Sequence, residues 1–255
     1  MAEGRKAGRA LPIAVGAGTI VAVMLGLEGL LRVGLINRFI VPPPSEVLLS
    51  FGRIIDEEDV LARTWETAFE VLVSGFFTIL IGVPIGAALY RWRTLRAAIE
   101  DWVAAAAAAP LVLAFPLFLV MFGRSATTVI VMSAITGLAP MILKTTEGFA
   151  GTRQVLINVG KSLKMSDRQM FWKILLPSAL PLIFTGVRLS WTFVLISVVG
   201  IEFLINLGGL GQLINDLAER YDLPGTYAAI GFVVMVSVIF FVALERLESW
   251  LQPAR

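Results

Sequence analysis

Residues 182–204 read LIFTGVRLSWTFVLISVVGIEFL, and this stretch decides the fold. It holds one arginine, Arg188, and one glutamate, Glu202, in an otherwise apolar run. Its length matches the roughly 20 residues a helix needs to cross a hydrocarbon layer. Working outward, comparable runs lie near 11–33, 70–90, 102–122, 126–143 and 226–244. Six such spans occupy about half the chain, and 57% of the 255 residues are hydrophobic against 16% charged. That is more apolar surface than one water-soluble core of this length can bury. The fold class expected is therefore all-α and polytopic: a single membrane domain over 11–255 behind a short N-terminal tail, 1–10. The first run follows Arg5, Lys6 and Arg9 as a secretory signal would. It is longer than a signal's apolar region and has no convincing cleavage site, so it reads as an uncleaved span.

Charge sets the orientation. With the N-terminus inside, the inner segments are 1–10, 91–101, 144–181 and 245–255, and these hold most of the basic residues. The third of them carries Lys144, Arg153, Lys161, Lys164, Arg168 and Lys173 against Glu147 and Asp167, whereas the outer segment near Asp56-Glu57-Glu58-Asp59 is acidic. The positive-inside rule then puts both termini on the cytoplasmic side of the membrane. Basic clusters confined to short loops are topology signals rather than a nucleic-acid surface.

Several chemistries are disfavoured by composition. Cysteine and histidine are both absent, which removes disulfides, thiolate nucleophiles, imidazole metal ligands and the commonest general base. No G-x-x-x-x-G-K-[ST] occurs, so the phosphate-cradling loop of a nucleotide hydrolase is missing. Asn206-Leu207-Gly208-Gly209-Leu210-Gly211 lacks the strand–helix setting of a dinucleotide fingerprint and reads as an outer turn. No catalytic, cofactor or metal residue is assigned.

Between the spans, Val41-Pro42-Pro43-Pro44-Ser45 cannot continue the first helix, because proline removes donors and restricts its neighbour; a short outer helix is expected after Ser45. Gly82 and Gly86 flank Pro84, and Ala104 to Ala109 precede Pro110. Small residues there suit close helix packing. The segment 151–181 is too polar to span and too well patterned to be disordered. A helix over about 152–163 leads into a second over about 167–175, opened by a Ser166/Gln169 capping box and ended by Pro177. A stiff helix pair of this kind at the membrane surface can receive a push and pass it to the spans.

The chain resembles the permeases of binding-protein-dependent ABC importers, in particular the group that includes aliphatic sulfonate, taurine and nitrate permeases. The resemblance is carried by Val41-Pro42-Pro43-Pro44-Ser45-Glu46-Val47, Gly75-Phe76, Gly82-Val83-Pro84-Ile85-Gly86 and Phe122-Gly123. Its strongest part runs Ser162-Leu163-Lys164-Met165-Ser166, Phe171-Trp172-Lys173-Ile174-Leu175-Leu176-Pro177-Ser178-Ala179-Leu180-Pro181, Thr185-Gly186-Val187-Arg188-Leu189, Glu202-Phe203-Leu204 and Gly208-Gly209-Leu210-Gly211. The family's cytoplasmic signature is E-A-A, three residues, glycine, nine residues, then I-x-L-P. Ile174, Leu176 and Pro177 fit its end, which sets Asn158-Val159-Gly160 at E-A-A and Lys164 at the glycine. The front half therefore departs from the pattern, and Lys164 tolerates a left-handed turn less well than glycine.

What the resemblance implies is a type I ABC importer permease, non-catalytic itself, that forms the translocation path. Its partners are a cytoplasmic ABC ATPase dimer that binds MgATP, a second permease copy or a paralogue, and an extracytoplasmic solute-binding protein. The cargo class is a small anion such as sulfonate, taurine, nitrate or an aromatic carboxylate. ATPase coupling falls on the loop near 150–181, with Asn158, Gly160, Lys161, Lys164, Met165, Ser166, Asp167 and Gln169. Candidate pathway or gate residues are Arg188, Trp191, Ser197 and Glu202, since ionisable groups within or at the ends of spans are costly to keep. Snorkelling or bracing of the loop is the competing role for Arg188. Bundle-internal hydrogen bonding competes for Ser133, Thr136, Ser190, Thr192 and Ser197. Glu28 and Arg32, one turn apart, form a structural pair. The rival functions are an ion-coupled secondary transporter, which would show repeats and intramembrane acids, and an intramembrane enzyme, which would need the groups that composition denies.

Overall fold

The computed structural model describes residues 3–38 and 40–251, and among these every regular element is helical. The helices are α1 Glu3–Arg32, α2 Pro44–Glu57, α3 Val60–Arg91, α4 Arg93–Ala108, α5 Phe115–Phe122, α6 Ala126–Ala150, α7 Gln154–Ser162, α8 Asp167–Met170, α9 Leu176–Ile205, α10 Gly209–Glu219 and α11 Leu223–Leu251. A 3₁₀ turn, Leu111–Ala114, precedes α5, and a π-turn, Phe171–Leu175, precedes α9. Among the described residues, five helices are long and apolar enough to span a membrane, and there are six spans if α4 and 111–122 count as one broken crossing. The tail expected at 1–10 is helical from Glu3; residues 1–2 and 252–255 lie outside the described residues.

Three boundaries differ from the sequence reading for physical reasons. The second span starts ten residues early, at Val60 rather than 70, because Glu66 and Thr67 lie in a helix that hydrogen-bonds them to residues 202, 209 and 210. The third is not a straight 102–122 rod: it bends by 86° at Ala109-Pro110. Proline has no amide to donate and drives the preceding residue out of the helical region, and Ala109 is extended at φ −74°, ψ 135°. Pro177, expected to end a helix, sits in the first turn of α9. There a missing amide costs nothing, and the π-turn before it shifts the hydrogen-bond register so that the chain continues from Asp167 to Ile205.

The chain divides into two compact units, Met1–Val60 with Leu213–Val233, and Leu61–Gln212 with Val234–Arg255. In the first, the Glu28 carboxylate pairs with Arg32 at 3.0 Å and accepts the Ser45 hydroxyl at 2.9 Å, tying the end of α1 to the start of α2. The short helix expected after Ser45 opens at Pro44 with Pro43 as its cap, two residues early. Arg53 on α2 pairs with Asp222, and Glu58 with Arg220 at 2.6 Å. The hydrogen bond that Arg53 donates to the Asp222 carboxylate holds its guanidinium above its ordinary pKa.

The second unit is built around α6, 56% buried across its apolar window against 17% for α11. It packs along α9, and Gly82 and Gly86 of α3 face it: a β-carbon at either would lie 2.7 Å from Met141 or 2.6 Å from Thr145. Such approach is what small residues supply where lipid gives no hydrophobic drive. One apolar cluster joins Val71, Val129, Met132, Val194, Val198 and Ile201. A second, toward the end of α6 that leads into residues 151–175, holds Met141, Phe149, Ala179 and Ile183.

Candidate functional site: the elbow at 151–175 and the Glu202 anchor

Helices α7 and α8 form the elbow read from the sequence. Ser166 caps α8 by accepting the Gln169 amide at 3.3 Å while Gln169 accepts the Ser166 amide at 3.0 Å. Between the helices the chain closes a Schellman turn: the Met165 amide donates to Gly160 O at 3.0 Å and the Lys164 amide to Lys161 O at 2.9 Å. Lys164 stands at the left-handed position with φ +52°, so a lysine occupies the conformation that the family pattern gives to glycine. Gly160 is buried, and a β-carbon there would lie 2.6 Å from Met170 and 2.7 Å from Ile174, so its absence is what lets α7 close onto the π-turn. Asn158 accepts from Gln154 at 3.0 Å, and Asp167 pairs with Arg91 at the end of α3 at 3.4 Å, both side chains largely exposed. Lys161, Lys164 and Asp167 project from the elbow, and Val155, Val159 and Leu163 leave an apolar strip of α7 exposed. Beside it an open cavity of about 1070 Å³ is lined by Tyr90, Arg91, Arg96, Lys161 and Met170, among others.

The elbow is wired into the spans by rings. Phe171 of the π-turn stacks on Phe149 of α6 at 5.6 Å, and Phe149 stacks on Tyr90 of α3 at 5.6 Å; Phe149 is fully buried.

At the opposite end of α9, Glu202 is fully buried and anchors the turn that follows. Its carboxylate accepts the Thr67 hydroxyl at 2.8 Å and the Gly211 amide at 2.8 Å. Thr67 in turn accepts the Leu210 amide, and Glu66 the Gly209 amide, each at 2.8 Å. Three orphan amides at the N-terminus of α10 thus meet acceptors from α3 and α9, two of them carboxylates favourably placed at the positive end of the helix dipole. Asn206, Gly208 and Gly209 take positive φ to make the turn, and a side chain on Gly209 would run into the Glu202 carboxylate. The glycine-rich turn expected from the sequence is therefore also a helix start. Beginning the second span at 70 leaves Glu66 and Thr67 outside it, and the sequence reading gives Glu70 no role. Their signal was present: Thr67, Glu70, Ser74 and Thr78 recur every three or four residues, a polar stripe on one helix face, and all four are buried.

The remaining candidates scatter. Arg188 pairs with Glu248 of α11 at 3.1 Å, the arginine side chain remaining 43% exposed. Trp191 stacks on Phe240 at 5.7 Å and lies where a β-carbon on Gly75 would meet it at 2.5 Å. Ser197 sits 3.4 Å from Thr136, and Ser190 donates to Gly137 O at 2.7 Å, the bundle hydrogen bonding expected of such residues. Arg188, Trp191, Ser197 and Glu202 do not converge on one point.

Residues 78–253 match the family of binding-protein-dependent transport system inner membrane components. The taurine transport system permease protein of Escherichia coli is 25% identical over 86% of this chain and 82% of its own length. The formylaminopyrimidine transport permease protein of Halalkalibacterium halodurans is 24% identical over 85% and 86%. In fold, the chain resembles a chain of the inward-facing MetNI methionine ABC transporter, with TM-score 0.67 and 20% identity over 76% of this chain and 96% of that one. An all-helical arrangement of the described residues, with an elbow between the fourth and fifth spans, agrees with the match, and the chain belongs to the binding-protein-dependent transport system inner membrane components, as a non-catalytic, multi-pass permease subunit of an ABC importer.

Proposed function

We propose that this permease takes up a small organic anion, a sulfonate such as taurine being the first choice, by coupling its spans through the elbow at 150–181 to a separate ABC ATPase that binds MgATP. The observation that carries the coupling is the elbow's construction: capping box, Schellman turn and Gly160 contact make two short helices one stiff body. Asn158, Gly160, Lys161, Lys164, Met165, Ser166, Asp167 and Gln169 form or brace the surface the ATPase grips. Both termini and the elbow lie in the cytoplasm, a reading supported by the basic excess at 144–173. The permease pairs with a second copy or a paralogue around the path, all of 11–255 acting as one permease domain, and a solute-binding protein delivers cargo from outside. The sulfonate choice is supported by the taurine permease relative.

Of the four pathway candidates, Trp191 and Ser197 belong to the packed walls, Glu202 holds the turn beyond α9, and Arg188 ties α9 to α11. The test is ATP-driven uptake of labelled taurine into proteoliposomes holding the permease, its ATPase and its binding protein. Accumulation that needs enclosed MgATP and stops with vanadate is expected; uptake that follows an ion gradient and ignores vanadate contradicts the proposal.

A further inference from the structure

We propose that Phe171, Phe149 and Tyr90 form the transmission rod that carries displacement of the elbow into α6 and α3, with the π-turn at Phe171–Leu175 as its seat. This deepens the coupling reading and rests on it. Three observations converge. The rings stack at two successive centroid distances of 5.6 Å, with planes 26° and 28° apart, so the ladder is continuous from the elbow to two spans. Its middle ring is fully buried among Met141, Ala179 and Ile183. A close-packed interior is nearly incompressible and passes on displacement rather than absorbing it. The contact between Gly160 and Met170 and Ile174 locks α7 to the turn that bears Phe171, so a push on α7 and a push on α8 arrive at the same ring.

The π-turn explains the aim of that ring. A wider turn inserted in a helix rotates the side chains that follow it and marks a place where function outweighs regular hydrogen bonding. Here it lies between the capping box and Pro177, and Phe171, its first residue, is half-buried against Phe149 while its neighbour Trp172 is exposed. Ion pairing at the same level is a poor alternative linkage, since Arg91 and Asp167 are 70% and 97% exposed at 3.4 Å and exposed pairs contribute little.

The experiment reads MgATP hydrolysis by the assembled complex in proteoliposomes, with and without the solute-binding protein outside. Stimulation by that protein must cross the spans to reach the ATPase, whereas basal hydrolysis need not. Phe171→Leu, which keeps an apolar side chain and removes the ring, is expected to keep basal hydrolysis and lose the stimulation. Phe171→Tyr, which keeps the ring at this half-buried position, is expected to be stimulated as the parent is. Phe149→Leu repeats the test one step along the ladder, and Tyr90→Leu, at its half-buried far end, serves where Phe149→Leu does not assemble.

Full stimulation in both Phe171→Leu and a second ladder variant overturns the proposal, as does equal loss in Phe171→Leu and Phe171→Tyr. The coupling reading itself is checked in the same preparation by cross-linking Lys161→Cys to the ATPase. No cross-link sinks the coupling reading; a cross-link together with full stimulation in the leucine variants sinks the ladder alone.

Discussion

The Thr67 hydroxyl donates to the Glu202 carboxylate at 2.8 Å and at the same time accepts the Leu210 amide at 2.8 Å. One buried hydroxyl therefore joins a carboxylate on α9 to the first turn of α10, and both partner residues are fully buried. Thr67→Val removes both bonds with little change of shape. A buried polar group left unpaired costs about 1–3 kcal/mol, so the variant is expected to unfold at lower temperature in detergent; Thr67→Ser should largely preserve the parent's melting temperature. Equal melting temperatures for Val and parent would contradict the anchor.

Lys164 gives a prediction in the other direction. A residue with a β-carbon in the left-handed region costs about 1–2 kcal/mol, and Lys164 sits there at φ +52°. Lys164→Gly is expected to raise stability by a large part of that amount, and Lys164→Pro to lower it, since proline cannot adopt positive φ. Thermal unfolding of the purified chain reads both.

Close approach of α3 and α9 is tested at Gly75. A β-carbon there meets the Trp191 ring at 2.5 Å, and overpacking of this kind costs about 1–3 kcal/mol. Gly75→Val should be destabilised by an amount in that range, and Trp191→Phe in the same chain should return part of it. Failure of the second change to help would mean that the indole is not what the side chain strikes.

Arg188 and Glu248 separate a structural pair from a cargo ligand. The pair is partly exposed, where such contacts are worth about 0–1 kcal/mol, so Arg188→Gln and Glu248→Gln should each change the melting temperature little. They should also act alike on uptake, and the double variant should be no worse than either single one. Loss of uptake in Arg188→Gln with normal uptake in Glu248→Gln would instead assign the guanidinium to an anionic cargo.

The spans were legible because lipid demands long apolar runs, and the elbow because Ser166 and Gln169 at the right spacing announce a helix start. What stayed hidden depended on tertiary partners. Val60 to Phe69 looks too polar to belong to a span until Glu202 and the amides of residues 209–211 are placed opposite it. Pro177 looks like a stop until the π-turn is seen to absorb it. The ring ladder draws on residues 90, 149 and 171, far apart in sequence and each unremarkable among the chain's 16 phenylalanines and 3 tyrosines, so no spacing rule finds it. Lys164 was expected to sit poorly in a left-handed turn, and the structure shows that the lysine adopts that turn all the same.

The coupling role depends on where the elbow faces and what it touches. The chain has no cysteine, so Lys164→Cys makes a unique thiol on the elbow. In the assembled complex that thiol is predicted to cross-link to the ATPase, and to react with a membrane-impermeant maleimide in inside-out vesicles but not in intact cells. Labelling from outside intact cells, with no cross-link to the ATPase, would contradict it.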